Sequence, residues 1–403
     1  MKVGTRRAGH APVVMGVIAS GLAIGLLAGC GGGDADGGGR AGVNGGGYGG
    51  AGTGAGTQNS GAGGLVVDQP MGAGVVASGG VGGSGGDMGC ASAQITASRI
   101  FPTVMLVVDG STSMLDPYGE PALNDAGMPD PAAPPPPNRW SSVREALVGA
   151  DGVVPKLQGL VKFGLAVFGT NATCPLPLGT INPDFNNAAA VTGGLPNDPP
   201  GMFTPTGVAL DMIVDVLPDP RMVLDGPPIG PQIILLATDG DPNSCGSGGI
   251  FDIPVTDYAP SIAAANKAAA KGLKMYVISV GRDAAVAHLQ EMANIGQGLD
   301  PASGGAEVYY PEDTASLATT LETLIGAELN CDLKLEGKGV KIGKECTGTV
   351  TFNGTPLECN GADGFKLIDS TTIQLQGTTC ETFKNSIDSS VMANFPCDAI
   401  VVE

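Results

Sequence analysis

Histidine and tryptophan are scarce in this 403-residue chain, which has two histidines and one tryptophan. His10 falls in an N-terminal signal-like segment, and His288 stands alone in a helical-looking segment where a solvated side chain is expected. Ser-His-Asp catalysis and histidine-ligated zinc both need histidines near other functional groups. Trp140 alone does not line an aromatic sugar groove, and we expect it to pack a helix against a sheet. The sequence therefore predicts a protein that is not an enzyme.

Basic residues are also few compared with acidic ones. The chain has 20 Lys and Arg against 39 Asp and Glu, a net charge of −19. Such an acidic chain is not expected to bind nucleic acid or anionic lipid headgroups, because their charge repels it. The excess of acid favours solubility and the gathering of cations near the surface.

The N-terminal segment has the pattern of an export signal. Arg6-Arg7 precedes an apolar stretch over residues 11–28, and Leu27-Ala28-Gly29-Cys30 follows. Small residues before a cysteine resemble the bacterial lipobox, which implies removal of residues 1–29 and lipidation of Cys30. A transmembrane anchor is the alternative, but the stretch is short for spanning and is interrupted by glycines. We expect a lipid-anchored protein of the bacterial cell envelope, in the outer membrane facing the periplasm or the cell surface.

Residues 30–93 are almost entirely small or polar. Glycine dominates this stretch, and it has too few large apolar groups to offset the entropy lost on ordering. We predict a disordered, Gly-rich tether between the lipid and the folded part.

The cysteines beyond Cys30 are even in number and suggest disulfides in an exported chain. Zinc is the competing interpretation, but no C-x-x-C pair occurs. The pairing is left open, apart from a guess that Cys174 meets Cys245. The candidates are Cys90, Cys174, Cys245, Cys331, Cys346, Cys359, Cys380 and Cys397.

The clearest motif is a D-x-S-x-S loop after an apolar run. Val104–Val108 has no polar alternation, which is typical of a strand covered on both faces. Asp109, Ser111 and Ser113 then place one carboxylate and two hydroxyls where that strand ends. Mg²⁺ prefers oxygen ligands and is usually held by only one or two carboxylates. The loop therefore supplies part of a magnesium shell.

Two later segments are candidates to complete that shell. Thr204-Pro205-Thr206 opens a helical segment, and either threonine is a candidate ligand. Asp239 ends a second buried strand over residues 232–238. Ligands of open parallel sheets bind outside the carboxyl ends of the strands, so these groups are expected to converge. Polar residues at strand ends that only satisfy loop backbone groups are the plainer alternative.

In these residues, and in their order, the chain resembles the von Willebrand factor type A domain with its metal-ion-dependent adhesion site. The resemblance implies that Asp109, Ser111, Ser113, Thr204 and Asp239 surround one divalent cation, Mg²⁺ or else Mn²⁺ or Ca²⁺. Thr206 is the rival for the threonine. The resemblance also implies that an Asp or Glu carboxylate of a protein partner completes the shell. It covers roughly residues 100–330.

Strands alternate with helices through the middle of the chain, which predicts an α/β fold with a doubly wound, mostly parallel sheet over residues 94–330. The segments 170–203 and 241–257 are rich in Pro, Asn and Gly, and we predict them to be surface insertions. We predict helices over 138–148, 206–217, 258–271 and up to about 329, and strands over 104–108, 162–168, 232–238 and 274–280.

After residue 331 the pattern changes to short Thr- and Val-rich runs. Asn353-Gly354 between two such runs predicts a type I′ hairpin. Five of the cysteines named above fall in residues 331–403. We therefore predict a small, disulfide-rich β unit at the C-terminus.

These observations predict an exported, lipid-anchored protein that binds a protein or surface ligand through a divalent cation. One alternative is a structural envelope or matrix component whose metal site is unused or degenerate. The other is a hydrolase with an unrecognised carboxylate pair, which no spacing in the sequence supports. The ligand and the oligomeric state are left open.

Overall fold

The computed structural model describes residues 92–169, 178–221, 229–244 and 255–401. Its helices are α1 (Arg139–Val148), α2 (Val153–Leu157), α3 (Ala188–Gly194), α4 (Thr206–Val216), α5 (Ala259–Ala270), α6 (Val286–Gly296), α7 (Thr314–Ala327) and α8 (Gly377–Lys384). Its strands are β1 (Ser92–Arg99), β2 (Thr103–Asp109), β3 (Lys162–Phe168), β4 (Gly179–Asp184), β5 (Gln232–Thr238), β6 (Lys274–Ser279), β7 (Val308–Tyr309), β8 (Asp332–Leu335), β9 (Gly339–Val340), β10 (Thr349–Phe352), β11 (Thr355–Pro356), β12 (Phe365–Asp369), β13 (Thr372–Leu375), β14 (Val391–Pro396) and β15 (Ile400–Val401).

The predicted signal, the lipidation site and the tether up to residue 91 lie outside these ranges, as do Cys90, Cys174 and Cys245. The last two residues of the predicted disordered tether, 92 and 93, are instead the start of β1. Of the helices within them, none combines the length and apolar character needed to cross a bilayer.

The first sheet has six strands in the order β4-β3-β2-β5-β6-β7. β2 pairs in parallel with both β3 and β5, and β6 pairs in parallel with both β5 and β7. Each of these parallel connections passes through at least one helix, as a parallel sheet requires. The predicted α/β architecture is confirmed in these elements.

Apolar cores lie on both faces of this sheet. Val104 and Leu106 of β2 join one core with α1, α2 and α7, whereas Met105 and Val107 join the other with α4, α5 and α6. Alternate residues of a strand point to opposite faces, so an unbroken apolar run serves both cores. Trp140 is fully buried in the first core, which confirms that it packs α1 against the sheet.

The segment predicted as a surface insertion over 170–203 contains regular structure. β4 lies antiparallel to β3 at the edge of the sheet, and α3 follows it. The sheet is therefore mixed. Pro183 and the surrounding Asn and Gly residues concealed the strand, because proline indicates a loop in a sequence but is tolerated in an edge strand.

The second sheet has seven strands in the order β11-β10-β14-β1-β8-β13-β12, all antiparallel. β1 lies in its middle, although the sequence-based boundary at residue 94 divides this strand between the tether and the α/β unit. The pairing of Ile95 with Ala393 spans almost the whole folded chain, and no local pattern encodes so distant a partner. The C-terminal β unit therefore includes residues 92–99 as well as residues 331–401.

Disulfides lie in this second unit, as the sequence predicts. Cys331 is bonded to Cys380, and Cys346 is bonded to Cys359. The predicted hairpin is also present: β10 pairs with β11 around Asn353 and Gly354. These two residues have φ of 49° and 81°, as both central positions of a type I′ turn require.

Candidate metal centre

Asp109 lies at the carboxyl end of β2, beside the end of β5. Its carboxylate is completely buried. Oδ1 accepts a 2.9 Å hydrogen bond from the backbone N–H of Ser111, and Oδ2 accepts a 2.6 Å hydrogen bond from the hydroxyl of Thr238 on β5. The parallel register of β2 and β5 brings these groups together. The first predicted ligand is thus held in one orientation by both strand ends.

The two serines of the motif connect this strand end to Asp239. Ser111 Oγ lies 2.9 Å from Ser113 Oγ, and Ser113 Oγ donates a 2.9 Å hydrogen bond to Asp239 Oδ1. Ser113 sits in a short 3-10 turn over Thr112–Leu115, which folds the loop back over the strand ends. Asp109, Ser111, Ser113 and Asp239, distant in sequence, therefore form one hydrogen-bonded cluster.

Thr204 precedes α4 and is held by Asn243. Its backbone N–H donates to Asn243 Oδ1 at 3.0 Å, and its carbonyl accepts from the Asn243 backbone N–H at 2.8 Å. Thr206 is different, because its hydroxyl donates to the Thr204 carbonyl at 3.4 Å. The geometry therefore favours Thr204 over Thr206 as the hydroxyl that faces the cluster.

Gly240 defines the space that these hydroxyls share. A Cβ built on Gly240 would lie 3.9 Å from both Ser113 Oγ and Thr204 Oγ1. The two hydroxyls are therefore at most 7.8 Å apart, the sum of those two distances, and both border the position that this Cβ would occupy. All five predicted residues meet at this edge of the sheet, and Gly240 keeps a side chain out of the space beside them.

Arg139 is the principal site residue that the sequence analysis did not assign. It begins α1 and is only 8% exposed. Its Nη1 donates to Asp239 Oδ2 at 2.8 Å and to the Ser113 carbonyl at 3.4 Å, and its Nη2 donates to Asp283. A cation is disfavoured at a helix N-terminus, so an arginine there was a usable signal that acids lie nearby.

Gly281 makes room for the Arg139 side chain. A Cβ on Gly281 would lie 2.8 Å from Arg139 Cζ, and the glycine has φ of +124°. Both the contact and the backbone conformation exclude a larger residue. The guanidinium is therefore held against Asp239 by the shape of the loop after β6 as well as by charge.

Burial raises the proton affinity of both carboxylates at the centre. Burial, followed by the negative charge of Asp239, raises the pKa of Asp109. Burial also raises the pKa of Asp239, opposed by the hydrogen bonds from Arg139 and Ser113. Arg139 is shared with the exposed carboxylates of Asp116 and Asp283. One guanidinium thus pairs with three acids, and Asp109 adds a fourth carboxylate, so the centre has an excess of negative charge.

The donor chemistry fits a hard divalent cation. Two carboxylates and three neutral hydroxyls offer only oxygen, the ligand type that Mg²⁺, Mn²⁺ and Ca²⁺ prefer. In the part of the chain that is described, no cluster of three or more His, Cys, Asp or Glu is arranged to hold a metal ion. The candidate set has only two carboxylates, and its other three side chains are hydroxyls.

A second group of polar side chains surrounds Asp241, two residues after Asp239. The Asp241 carboxylate accepts hydrogen bonds from the Tyr258 hydroxyl at 3.0 Å and from the Ala285 N–H at 2.6 Å. His288 stacks on Tyr258 with ring centroids 4.4 Å apart and is 5% exposed. The prediction of a solvated histidine was wrong, because α6 turns this face toward α5 and not toward water.

No protein-family model matches this chain, and a search of curated proteins gives no match. Solved structures do resemble it. The pilus adhesin SpaC from Lactobacillus rhamnosus GG is 12% identical with a TM-score of 0.40, over 77% of this chain and 41% of that chain. The PilB minor pilin from Streptococcus sanguinis is 16% identical with a TM-score of 0.37, over 57% and 61%. A manganese-loaded Plasmodium vivax TRAP protein is 15% identical with a TM-score of 0.34, over 70% and 94%.

The chain thus spans about two fifths of the length of the SpaC adhesin. An adhesin and a pilin are thus among these neighbours.

Proposed function

We propose that this protein binds a protein or surface ligand through a divalent cation held at the carboxyl ends of β2 and β5. In this proposal residues 103–329 belong to the von Willebrand factor type A class. The protein is exported, lipid-anchored at Cys30 in the bacterial envelope, and not an enzyme. The observation that supports it best is the hydrogen-bonded cluster of Asp109, Ser111, Ser113 and Asp239, with Thr204 beside it.

The side chains have distinct tasks in this proposal. Ser111, Ser113 and Thr204 offer neutral oxygens, so they hold a cation without cancelling its charge. Asp109 and Asp239 supply the negative charge that makes the pocket attractive to the cation. When bound, the cation supplies a positively charged coordination position for an Asp or Glu carboxylate of the partner. Thr238 and Asn243 orient Asp109 and Thr204 through the hydrogen bonds described above.

Calorimetric titration of Mg²⁺ and Mn²⁺ into the full chain, with its disulfides intact, tests the cation site. Wild type is compared with Asp109→Asn and with Asp211→Asn, an exposed aspartate that pairs only with Lys267 in the ranges described. We expect saturable binding in wild type and Asp211→Asn and none in Asp109→Asn. Absence of saturable binding in wild type would overturn the cation mechanism.

The binding role has its own test. The immobilised chain is exposed to envelope extracts with Mg²⁺ or with a chelator, and the captured material is compared between wild type and Asp109→Asn. Capture that needs both the cation and Asp109 supports the proposal. Capture that is unchanged by the chelator contradicts it.

Arg139 supports a second candidate function. Because its guanidinium already donates to Asp239 at 2.8 Å, a cation is present at the centre without any metal. This arrangement suits a structural envelope component in which the site serves only the stability of the fold. Two measurements distinguish these functions. If the site is structural, added metal changes the melting temperature but leaves ligand capture unchanged.

A further inference from the structure

A large cavity lies at the other end of the first sheet, away from the candidate metal centre. Its volume is about 970 Å³, within the range of small-molecule sites. Thr103, Lys162 and Gln232, the first residues of β2, β3 and β5, form one side. Arg99 at the end of β1 and Lys334 on β8 come from the second sheet. The cavity thus lies where the two sheets meet.

Three cations line this cavity: Arg99, Lys162 and Lys334. Arg99 donates to the carbonyls of Phe383 and Ser386, and its guanidinium lies 3.6 Å from the centroid of the Phe383 ring. These contacts fix the guanidinium in place but leave its charge without an acid. Burial lowers the pKa of Arg99 to about 10, which still leaves it charged at neutral pH.

Neutral groups contact the two lysines directly, and the charge of Asp369 acts on Lys334 at longer range. Lys162 Nζ lies 5.1 Å from the centroid of the Phe185 ring, and Lys334 Nζ donates to the Thr371 hydroxyl. Across the ranges that the structure covers, none of the three cations forms an ion pair with a carboxylate. Glu336 also lines the cavity, and its carboxylate accepts a hydrogen bond from Ser98 Oγ.

Unpaired cations are unexpected in so acidic a chain. Acidic residues outnumber basic ones by 39 to 20, so partners are plentiful. Most of the basic side chains elsewhere in the described ranges do find them. Ion pairs are formed by Arg139, Lys156, Arg221, Lys267, Lys274, Arg282, Lys344 and Lys384. The cavity lining holds these three cations against one acid, Glu336, and this excess of positive charge marks a place for an external anion.

Gln232 adds a second, independent sign of a ligand. It is 3% exposed, and its Nε2 donates to the Gly230 carbonyl at 3.0 Å. Its Oε1 is buried and has no hydrogen-bond partner within the described residues. A buried acceptor without a donor is unfavourable, and nearly all such groups in folded proteins are satisfied. A ligand with an N–H or O–H group would satisfy it.

We infer that this cavity binds a small organic carboxylate with an apolar body and a hydrogen-bond donor. Arg99, Lys162 and Lys334 surround the carboxylate, as cations do in charge-assisted hydrogen bonds. On binding, the Gln232 side chain rotates so that Oε1, which is buried in the free chain, accepts from the donor. The remaining lining is apolar and suits the body of the ligand: it includes Phe101, Pro183, Pro218 and Ile229. The site is independent of the proposed cation centre.

Matched probes test the carboxylate preference. Naphthalene-2-carboxylate and naphthalene-2-carboxamide are titrated into the full chain by calorimetry, in the presence of a chelator. We expect the carboxylate to bind at least about tenfold more tightly, as one charge-assisted hydrogen bond implies. Equal affinities, or no binding of the carboxylate, would overturn the inference.

Two variants assign the binding to this cavity. Lys162→Gln should weaken carboxylate binding about tenfold, whereas the control Lys156→Gln, at an exposed pair with Glu322, should not. Gln232→Leu should remove the advantage of 6-hydroxynaphthalene-2-carboxylate over the unsubstituted carboxylate. Thermal melting checks that each variant is folded. A folded Lys162→Gln variant that binds like wild type contradicts the assignment.

Discussion

The guanidinium of Arg139 donates to Oδ2 of Asp239 at 2.8 Å, across 100 positions of sequence. The same carboxylate accepts from Ser113 through its other oxygen. Asp239 therefore joins an internal cation on one side to the hydroxyl cluster on the other. The affinity of the centre for a cation therefore depends on how strongly the Asp239 carboxylate already interacts with Arg139.

Replacement of Arg139 by methionine should destabilise the metal-free chain by about 3–5 kcal/mol, because it leaves a buried carboxylate without its partner. MgCl₂ should then stabilise the variant more than wild type, since the metal replaces the lost positive charge. Thermal melting with MgCl₂ or chelator measures both effects.

Arg221→Met is the matched control for this change, because Arg221 pairs with Asp219 on the surface. We expect little change in the melting temperature of this control, with MgCl₂ or with chelator. An Arg139→Met variant that gains no more from MgCl₂ than wild type does would contradict competition between the guanidinium and the metal.

Replacement of Gly281 by alanine should disrupt the position of Arg139. The new Cβ would lie 2.8 Å from Arg139 Cζ at a φ of +124°. We expect a loss of about 2–4 kcal/mol in the free energy of unfolding, from backbone strain and displacement of the buried ion pair. Gly119→Ala is the control for the backbone effect, because Gly119 has φ of +101° and a Cβ there would meet nothing nearer than 3.8 Å. Equal losses for both variants would show that the contact with Arg139 does not matter.

His288 should make the fold sensitive to mild acid. Burial lowers its pKa below the ordinary 6.5, opposed by the charge of Asp241. The unfolded chain therefore binds the proton more readily than the folded chain, so this contribution to stability is present above pH 6.5 and is lost as the pH falls through the lowered value. The measurement is the free energy of unfolding from about pH 8 to about pH 5.

His288→Phe keeps a ring against Tyr258 and removes the titration. The difference in stability between wild type and the variant should shift in favour of the variant as the pH falls. Parallel curves for the two proteins would mean that the buried imidazole does not control this pH range.

The two described disulfides should contribute unequally to the free energy of unfolding. Cys331–Cys380 closes a separation of 49 residues and Cys346–Cys359 one of 13. Loop-closure entropy gives about 4 kcal/mol for the longer loop and about 3 kcal/mol for the shorter. Paired alanine substitutions and denaturant titration compare them. A larger loss from the shorter loop would show that packing around the sulfurs outweighs chain entropy.

Local patterns predicted the elements that carry the candidate site. The strand predicted over 232–238 is β5, and the helix predicted over 206–217 is α4 with one residue fewer. Both are encoded by short-range apolar patterns that the first sheet buries. The convergence of Asp109 and Asp239 followed from one rule, that parallel strands end at the same edge of a sheet.

Contacts between residues that are far apart in the sequence could not be predicted in the same way. Asn243 acts on Thr204 from 39 positions away, and the choice between Thr204 and Thr206 depends on that contact. The role of Arg139 depends on the loop that holds Asp283 and Gly281. Each is a contact between elements that only the assembled sheet brings together.

The position of β1 means that the α/β unit is inserted into the β unit instead of preceding it. The chain enters through the middle strand of the antiparallel sheet, builds the first sheet, and returns at β8 beside the strand it left. A single cut cannot release either part intact. Removal of everything before residue 100 would leave β14 and β8 as two facing open edges, each with unpaired backbone groups that invite association with other chains.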